Sequence, residues 1–111
     1  MRDILAQLNK TQGVRGCMVV NRDGIVVASD FSVELDETGL GAVASSILAA
    51  LEAALKRIKL GSLSRCLITG GEAKIAIVDT GHALLLVLLQ RDLNLGLVNV
   101  ELSAAVRAIQ E

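Results

Sequence analysis

Aromatic side chains are nearly absent from this chain: one phenylalanine, no tryptophan and no tyrosine stand among its 111 residues. That excludes recognition of single-stranded nucleic acid by base stacking, which needs aromatic platforms. Proline is missing altogether, and no low-complexity stretch or internal repeat interrupts the chain, so there is no linker at which to divide it. An excess of charge of one sign is lacking too. A formal net charge of −1 and a pI near 5.8 leave no electrostatic footprint for nucleic acid or an anionic membrane. Two cysteines and no signal-peptide pattern point to a reducing, cytoplasmic setting. The longest apolar run, Ala83 to Leu89, falls far short of the roughly 20 residues of a membrane-spanning helix.

What the chain has instead is aliphatic side chains. It is 52% hydrophobic, and with so few aromatics the core must be built from Leu, Ile, Val and Ala. The length suits one compact soluble domain over residues 1–111. A domain this small has a high ratio of surface to volume and cannot hide so much aliphatic surface alone. Large exposed apolar patches mark protein interfaces, so self-association is expected.

The pattern of apolar positions gives an element order. Met1 to Gln12 carries Ile4, Leu5 and Leu8 at helical spacing and stops at Gly13. In "GCMVVNRDGIVVAS", Val14 to Val20 and Ile25 to Ala28 read as strands around Asn21-Arg22-Asp23-Gly24. Strand-type residues on both sides and a glycine able to take positive φ make that stretch a hairpin turn rather than an adhesion-like or metal-binding loop. Asp36 precedes a helix from Glu37 to Ile58, with acids early, Lys56, Arg57 and Lys59 late, and Gly61 to close it. Arg65 to Thr69, Lys74 to Val78 and Ala83 to Gln90 read as three more strands, and Leu97 to Ile109 as a last helix. Short connections make the sheet antiparallel. The unbroken apolar run of Ala83 to Leu89 places that strand centrally with both faces covered, so helices must lie on both faces. The class is α+β, an α/β sandwich of order α-β-β-α-β-β-β-α.

At 100° per residue the long helix turns Leu40, Val43, Ala44, Ile47, Leu51, Leu55 and Ile58 toward the sheet. Ser45, Glu52, Lys56 and Lys59 form a narrow polar stripe, with Leu48 beside it. Between stripe and apolar face lies a flank of small residues, Ala42, Ser46, Ala49 and Ala53. A helix resting only on its own sheet shows a broader polar face, so the flank and Leu48 point to a second contact. Alanine is also simply a good helix former, and that bland reading stands beside the other.

These residues carry a resemblance. The element order, with "VRGCMVVNRDGIVVAS" as first hairpin, "GLGAVASSILAALEAALKRI" as long helix and "HALLLVLLQRDLNLGLVNVELSAAVRAI" as central strand, Asn94-Leu95-Gly96 bend and final helix, is similar to the Roadblock family, which includes dynein light chains and bacterial partners of small Ras-like GTPases. The resemblance implies a five-stranded sheet ordered second, first, fifth, fourth, third strand, with the long helix on one face and both terminal helices on the other. It also implies a homodimer through the third strand (Arg65, Leu67, Thr69) and the small flank of the long helix (Ala42, Ser46, Ala49, Ala53). An edge strand left bare would otherwise tend to find a partner. Paired long helices would then present Leu48, Glu52, Lys56 and Lys59 to a small Ras-like GTPase, with Arg57 nearer the sheet and no arginine finger. The function implied is that of a non-catalytic homodimeric regulator or adaptor, with a GTPase-activating or localising role. The alternative is a purely structural dimerisation subunit of a larger motor or membrane-associated scaffold.

No other chemistry converges. His82 begins a strand after a turn, with no placed Ser or Cys nucleophile near it in sequence, and reads as a surface residue. Cys17 and Cys66 lack metal-ligand spacing. In the implied sheet they stand two strands apart, about 14 Å, beyond disulfide reach, and read as small buried hydrophobes. "TGGEAK", Thr69 to Lys74, lacks the frame of a phosphate loop and reads as a hairpin turn. Asp30, Glu34, Asp36 and Glu37 fail the EF-hand spacing, and acids before a helix need no ion. No catalytic, cofactor-binding or metal-binding residue is expected.

Overall fold

A computed structural model describes residues 1–93 and 95–110. Helix α1 (Arg2–Asn9) leads into the hairpin β1 (Val14–Asn21) and β2 (Val26–Phe31). The long helix α2 (Glu37–Arg57), the meander β3 (Arg65–Thr69), β4 (Ala73–Asp79) and β5 (Ala83–Gln90), and helix α3 (Leu95–Gln110) follow. The strands make one antiparallel sheet in the order β2-β1-β5-β4-β3. This is the α+β architecture expected, with β3 and β5 at their expected limits. Asn94 of the expected Asn94-Leu95-Gly96 bend lies outside the described residues, while Leu95 and Gly96 are the first residues of α3 rather than part of a loop.

Alternation along the strands divides the core into two layers. Cys17, Val19, Ala76, Val78, Leu85, Val87 and Leu89 face α1 and α3, where Leu5, Leu8, Val98 and Leu102 meet them. Met18, Val20, Ile77, Leu84 and Leu86 face the other way, onto Ala44 and Leu48 of α2. Strand β5 feeds both layers, which is why its apolar run shows no alternation in sequence.

Helix α2 begins as expected: the Asp36 carboxylate accepts the N–H of Gly39 at 3.0 Å, satisfying one of the donors a helix start leaves free. Its other end differs from expectation. Gly61 has φ +89°, but the helix ends at Arg57 with Ile58 as its cap, and the left-handed residue that closes it is Lys59, at φ +61°. The Lys59 N–H donates to Lys56 O at 3.2 Å and the Leu60 N–H to Leu55 O at 2.9 Å. This is a Schellman motif with a lysine in the place glycine usually takes.

The helix is also turned about its axis relative to the expected orientation, by roughly 60° at 100° per residue. Leu48 is buried in the α2 layer at 4% exposure, whereas Val43 and Ile58, expected against the sheet, are 55% and 63% exposed. The cause is the β1–β2 turn. Asn21 Oδ1 accepts the N–H groups of Asp23 and Ile25, and Gly24 takes φ +87°, so the expected turn forms; it then docks on α2. A Cβ on Gly41 would stand 2.7 Å from Gly24 O, so only glycine lets the helix backbone come this close. Ser45 Oγ donates to Arg22 O at 2.6 Å, and Glu52 pairs with the Arg22 guanidinium at 3.5 Å. With Ser45 and Glu52 satisfied by the turn, the side of the helix that carries them can close onto the sheet together with Leu48.

Candidate functional site

The two outer strands of the sheet differ. Strand β2 is irregular: its register with β1 shifts between Val19 and Val20, so Val27 is left over as a bulge. It is also held by α1, whose Asn9 Nδ2 donates to Asp30 O at 2.9 Å. Strand β3 pairs with β4 without a break from Arg65↔Val78 to Thr69↔Lys74 and, among the described residues, has no strand on its other side. Asp79 N–H donates to Ser64 O and Gly70 N–H to Ala73 O. By the alternation of an antiparallel ladder, Cys66 and Ile68 then bond toward β4, while the main-chain groups of Arg65, Leu67 and Thr69 face outward. These are the three strand residues anticipated at an interface. On the α3 side, Arg65 Nη1 donates to Asn99 Oδ1 at 2.9 Å. Leu67, 43% exposed, borders a depression of about 180 Å³ with Leu95 and Leu102.

Helix α2 provides the second element. Ala42, Ser46, Ala49 and Ala53 are all exposed, and so are Val43, Ala50 and Ala54, which sequence reasoning did not place at a surface. The result is an outward ribbon without a long polar side chain until Lys56 and Arg57. It explains why α2 is long and apolar enough to cross a membrane by length and composition alone: one side closes the core and the other is a small, apolar outer surface.

The four residues anticipated to meet a partner are not brought together. Lys56 and Lys59 are exposed. Glu52 is half-buried and engaged with Arg22. Leu48 lies in the core, so its expected place on the surface is corrected by the burial just described. Arg57, expected nearer the sheet, is exposed and joins Lys56 and Lys59 in a basic end to the ribbon.

Arg22 went unrecognised in the sequence. Its guanidinium bonds Asp79 Oδ2 at 2.7 Å as well as Glu52, tying the hairpin turn to α2 and to the end of β4. The hydrogen bond it donates to Asp79, with the charges of Asp79 and Glu52, holds the guanidinium above its ordinary pKa. Asp79 also caps the next turn by accepting the Gly81 N–H at 2.8 Å. The only sequence signal was an arginine in a tight turn and two acids far along the chain.

Elsewhere, Cys17 is buried, with Sγ 3.5 Å from both Leu5 O and Asn9 Oδ1. Burial, with the nearby Asp30 charge, pushes its thiol up to about 12, so it stays protonated and a poor nucleophile. Cys66 is half-buried on the opposite face of the sheet, and both thiols are free. His82 is exposed. Among the described residues no group of three or more His, Cys, Asp and Glu side chains could hold a metal ion. What the described residues present outward is an open strand edge, a small-residue helix ribbon and a basic end.

Residues 2–90 match the Roadblock/LC7 domain. The chain is 37% identical over 107 residues to the uncharacterized protein MJ1340 of Methanocaldococcus jannaschii, covering 96% of this chain and 94% of that one. Among solved structures it is similar to Myxococcus xanthus MglB, with a TM-score of 0.90 at 20% identity over 97% of this chain and 92% of that one. It is also similar to a Roadblock/LC7 domain from Streptomyces avermitilis, with a TM-score of 0.91 at 15% identity over 99% and 94%. At such identities these two structures speak to the fold.

Proposed function

Because the chain belongs to the Roadblock/LC7 domain family, we propose that it is a non-catalytic, cytoplasmic homodimer that regulates or tethers a small Ras-like GTPase. The observation that carries this reading is the combination of a straight sheet edge without a partner and a helix ribbon without long side chains. Pairing β3 with β3 of a second copy satisfies the outward main-chain groups of Arg65, Leu67 and Thr69. Packing α2 against α2 through Ala42, Ser46, Ala49 and Ala53 covers the apolar ribbon, and small side chains allow the axes to approach to about 8 Å. Lys56 and Lys59, with Arg57, are left to set the orientation and on-rate of an acidic partner surface. Leu48 and Glu52 act beneath this surface, one by packing and the other by holding Arg22. Any stimulation of hydrolysis would come from repositioning the GTPase's own residues.

Sedimentation at micromolar concentration should give twice 11.6 kDa, and Ala49→Arg should return it to the monomer. Capture of small GTPases loaded with GDP or a GTP analogue should favour one nucleotide state. It should weaken about tenfold in Lys56→Glu with Lys59→Glu, whose mass stays dimeric. A monomeric parent would refute the dimer. Capture indifferent to nucleotide state would instead favour a structural dimerisation subunit of a larger assembly.

A further inference from the structure

On the face of the sheet opposite α2, the two terminal helices leave a groove between them. Ile4 and Leu8 of α1 and Ala104, Ala105 and Ala108 of α3 surround a depression of about 260 Å³. A second depression, also about 260 Å³, continues it past Gln7 and Glu101 toward Leu97 and Lys10. Ala108 stands eleven positions after Leu97, which on one helix is about 16 Å, the length of three turns of another helix laid alongside. The alanine wall has no bulk to keep a helix at a distance. Leu97 and Val100, 47% and 63% exposed, extend the apolar surface along the rim.

Charge narrows the occupant. Asp3 stands on the α1 wall and Glu101 on the α3 wall. They are offset by about one turn, because Asp3 precedes by four residues the Gln7 that lies beside Glu101. Neither acid has an ion-pair partner among the described residues, where the only pairs are those of Arg22. An apolar floor between two free acids on opposite walls matches an amphipathic helix with a basic residue on each flank. Helices docked in grooves of this kind are held by apolar anchors at i, i+3, i+4 and i+7.

We propose that this groove takes an amphipathic helix of about three turns from a partner protein, with leucine and alanine on its buried side and one lysine or arginine on each flank, over Asp3 and Glu101. The site is independent of the GTPase reading, since it uses the other face of the sheet. It lets one chain hold two different proteins at once.

The test uses the intact protein, uniformly labelled for amide NMR, and a synthetic helical peptide of roughly 14 residues with a Leu/Ala stripe flanked by two lysines. Addition should shift the amides of α1 and α3 and leave those of α2 in place. Replacing the peptide's lysines by glutamate should weaken binding about tenfold, and Asp3→Lys with Glu101→Lys should restore the glutamate peptide. Ala104→Leu, at an exposed helical position where leucine costs little helix stability, fills the groove and should abolish the shifts. Binding indifferent to both the charge swap and Ala104→Leu would overturn the proposal. So would shifts centred on α2, or a change of sedimenting mass in Ala104→Leu, which would make the groove a contact between copies of this chain.

Discussion

The two edges of the sheet are built to opposite ends. Strand β2 carries a bulge at Val27 and is tied by Asn9 to the first helix, while β3 runs straight beside β4 and leaves the main chain of Arg65, Leu67 and Thr69 facing outward. Bulges and covering elements are the usual ways a protein blunts an edge against unwanted pairing. The bulge stands at one edge and not at the other, so only β3 keeps a regular ladder of outward main-chain groups. Both faces of the sheet are covered by helices; the two edges differ in their regularity.

The sharpest way to break this contrast is Leu67→Pro. It deletes an outward N–H without touching the β4 ladder, which an edge strand tolerates, and should weaken self-association about 100-fold or more by sedimentation equilibrium. Val27→Lys, on the bulged edge, should leave the mass unchanged. If both variants behave alike, the edges are not differently employed. Next in size is Gly41→Ala. Its Cβ would meet Gly24 O at 2.7 Å, forcing apart α2 and the hairpin that carries β2; a loss of about 1–3 kcal/mol is expected in urea unfolding, despite alanine's better helix propensity. Asn9→Ala removes the tie between α1 and β2 together with the acceptor for the Cys17 thiol. About 1 kcal/mol should be lost, and amide exchange in β2 should quicken before that in β3. The smallest effect is expected for Lys59→Gly. Relieving the left-handed lysine that precedes β3 should stabilise the protein by about 0.5–1 kcal/mol, visible as a raised melting temperature with no change in mass.

Much of this arrangement was legible in the residues. Asp36 announced the start of α2 through its chemistry, and the turn at Asn21-Arg22-Asp23-Gly24 through its glycine. The consecutive apolar side chains of Leu84 to Leu89 could only belong to a strand covered on both faces. The end of α2 was read to within a residue, but the residue that closes it was misassigned, because lysine rarely takes the left-handed conformation and a glycine stood two residues further on. The tie between α1 and β2 was not legible at all: Asn9 and Asp30 lie 21 positions apart, and nothing in either residue type names the other.

By itself, then, the sequence determined the kinds and order of the elements, which strand lies at the centre, and that aliphatic surface would be left exposed. These follow from local propensity and from the periodicity of apolar side chains, both properties of short windows. Only the tertiary structure decided which side of α2 is inside. In a helix so rich in alanine the apolar residues spread around much of the circumference, so its orientation is weakly specified by its own pattern. Gly41 lets the hairpin turn come against the helix backbone, and Arg22 supplies Glu52 with a counter-charge while its carbonyl accepts the hydroxyl of Ser45. A polar residue counts as outward only until something from elsewhere in the chain satisfies it. With both satisfied, Leu48 goes into the core and the alanines of α2 are left facing out.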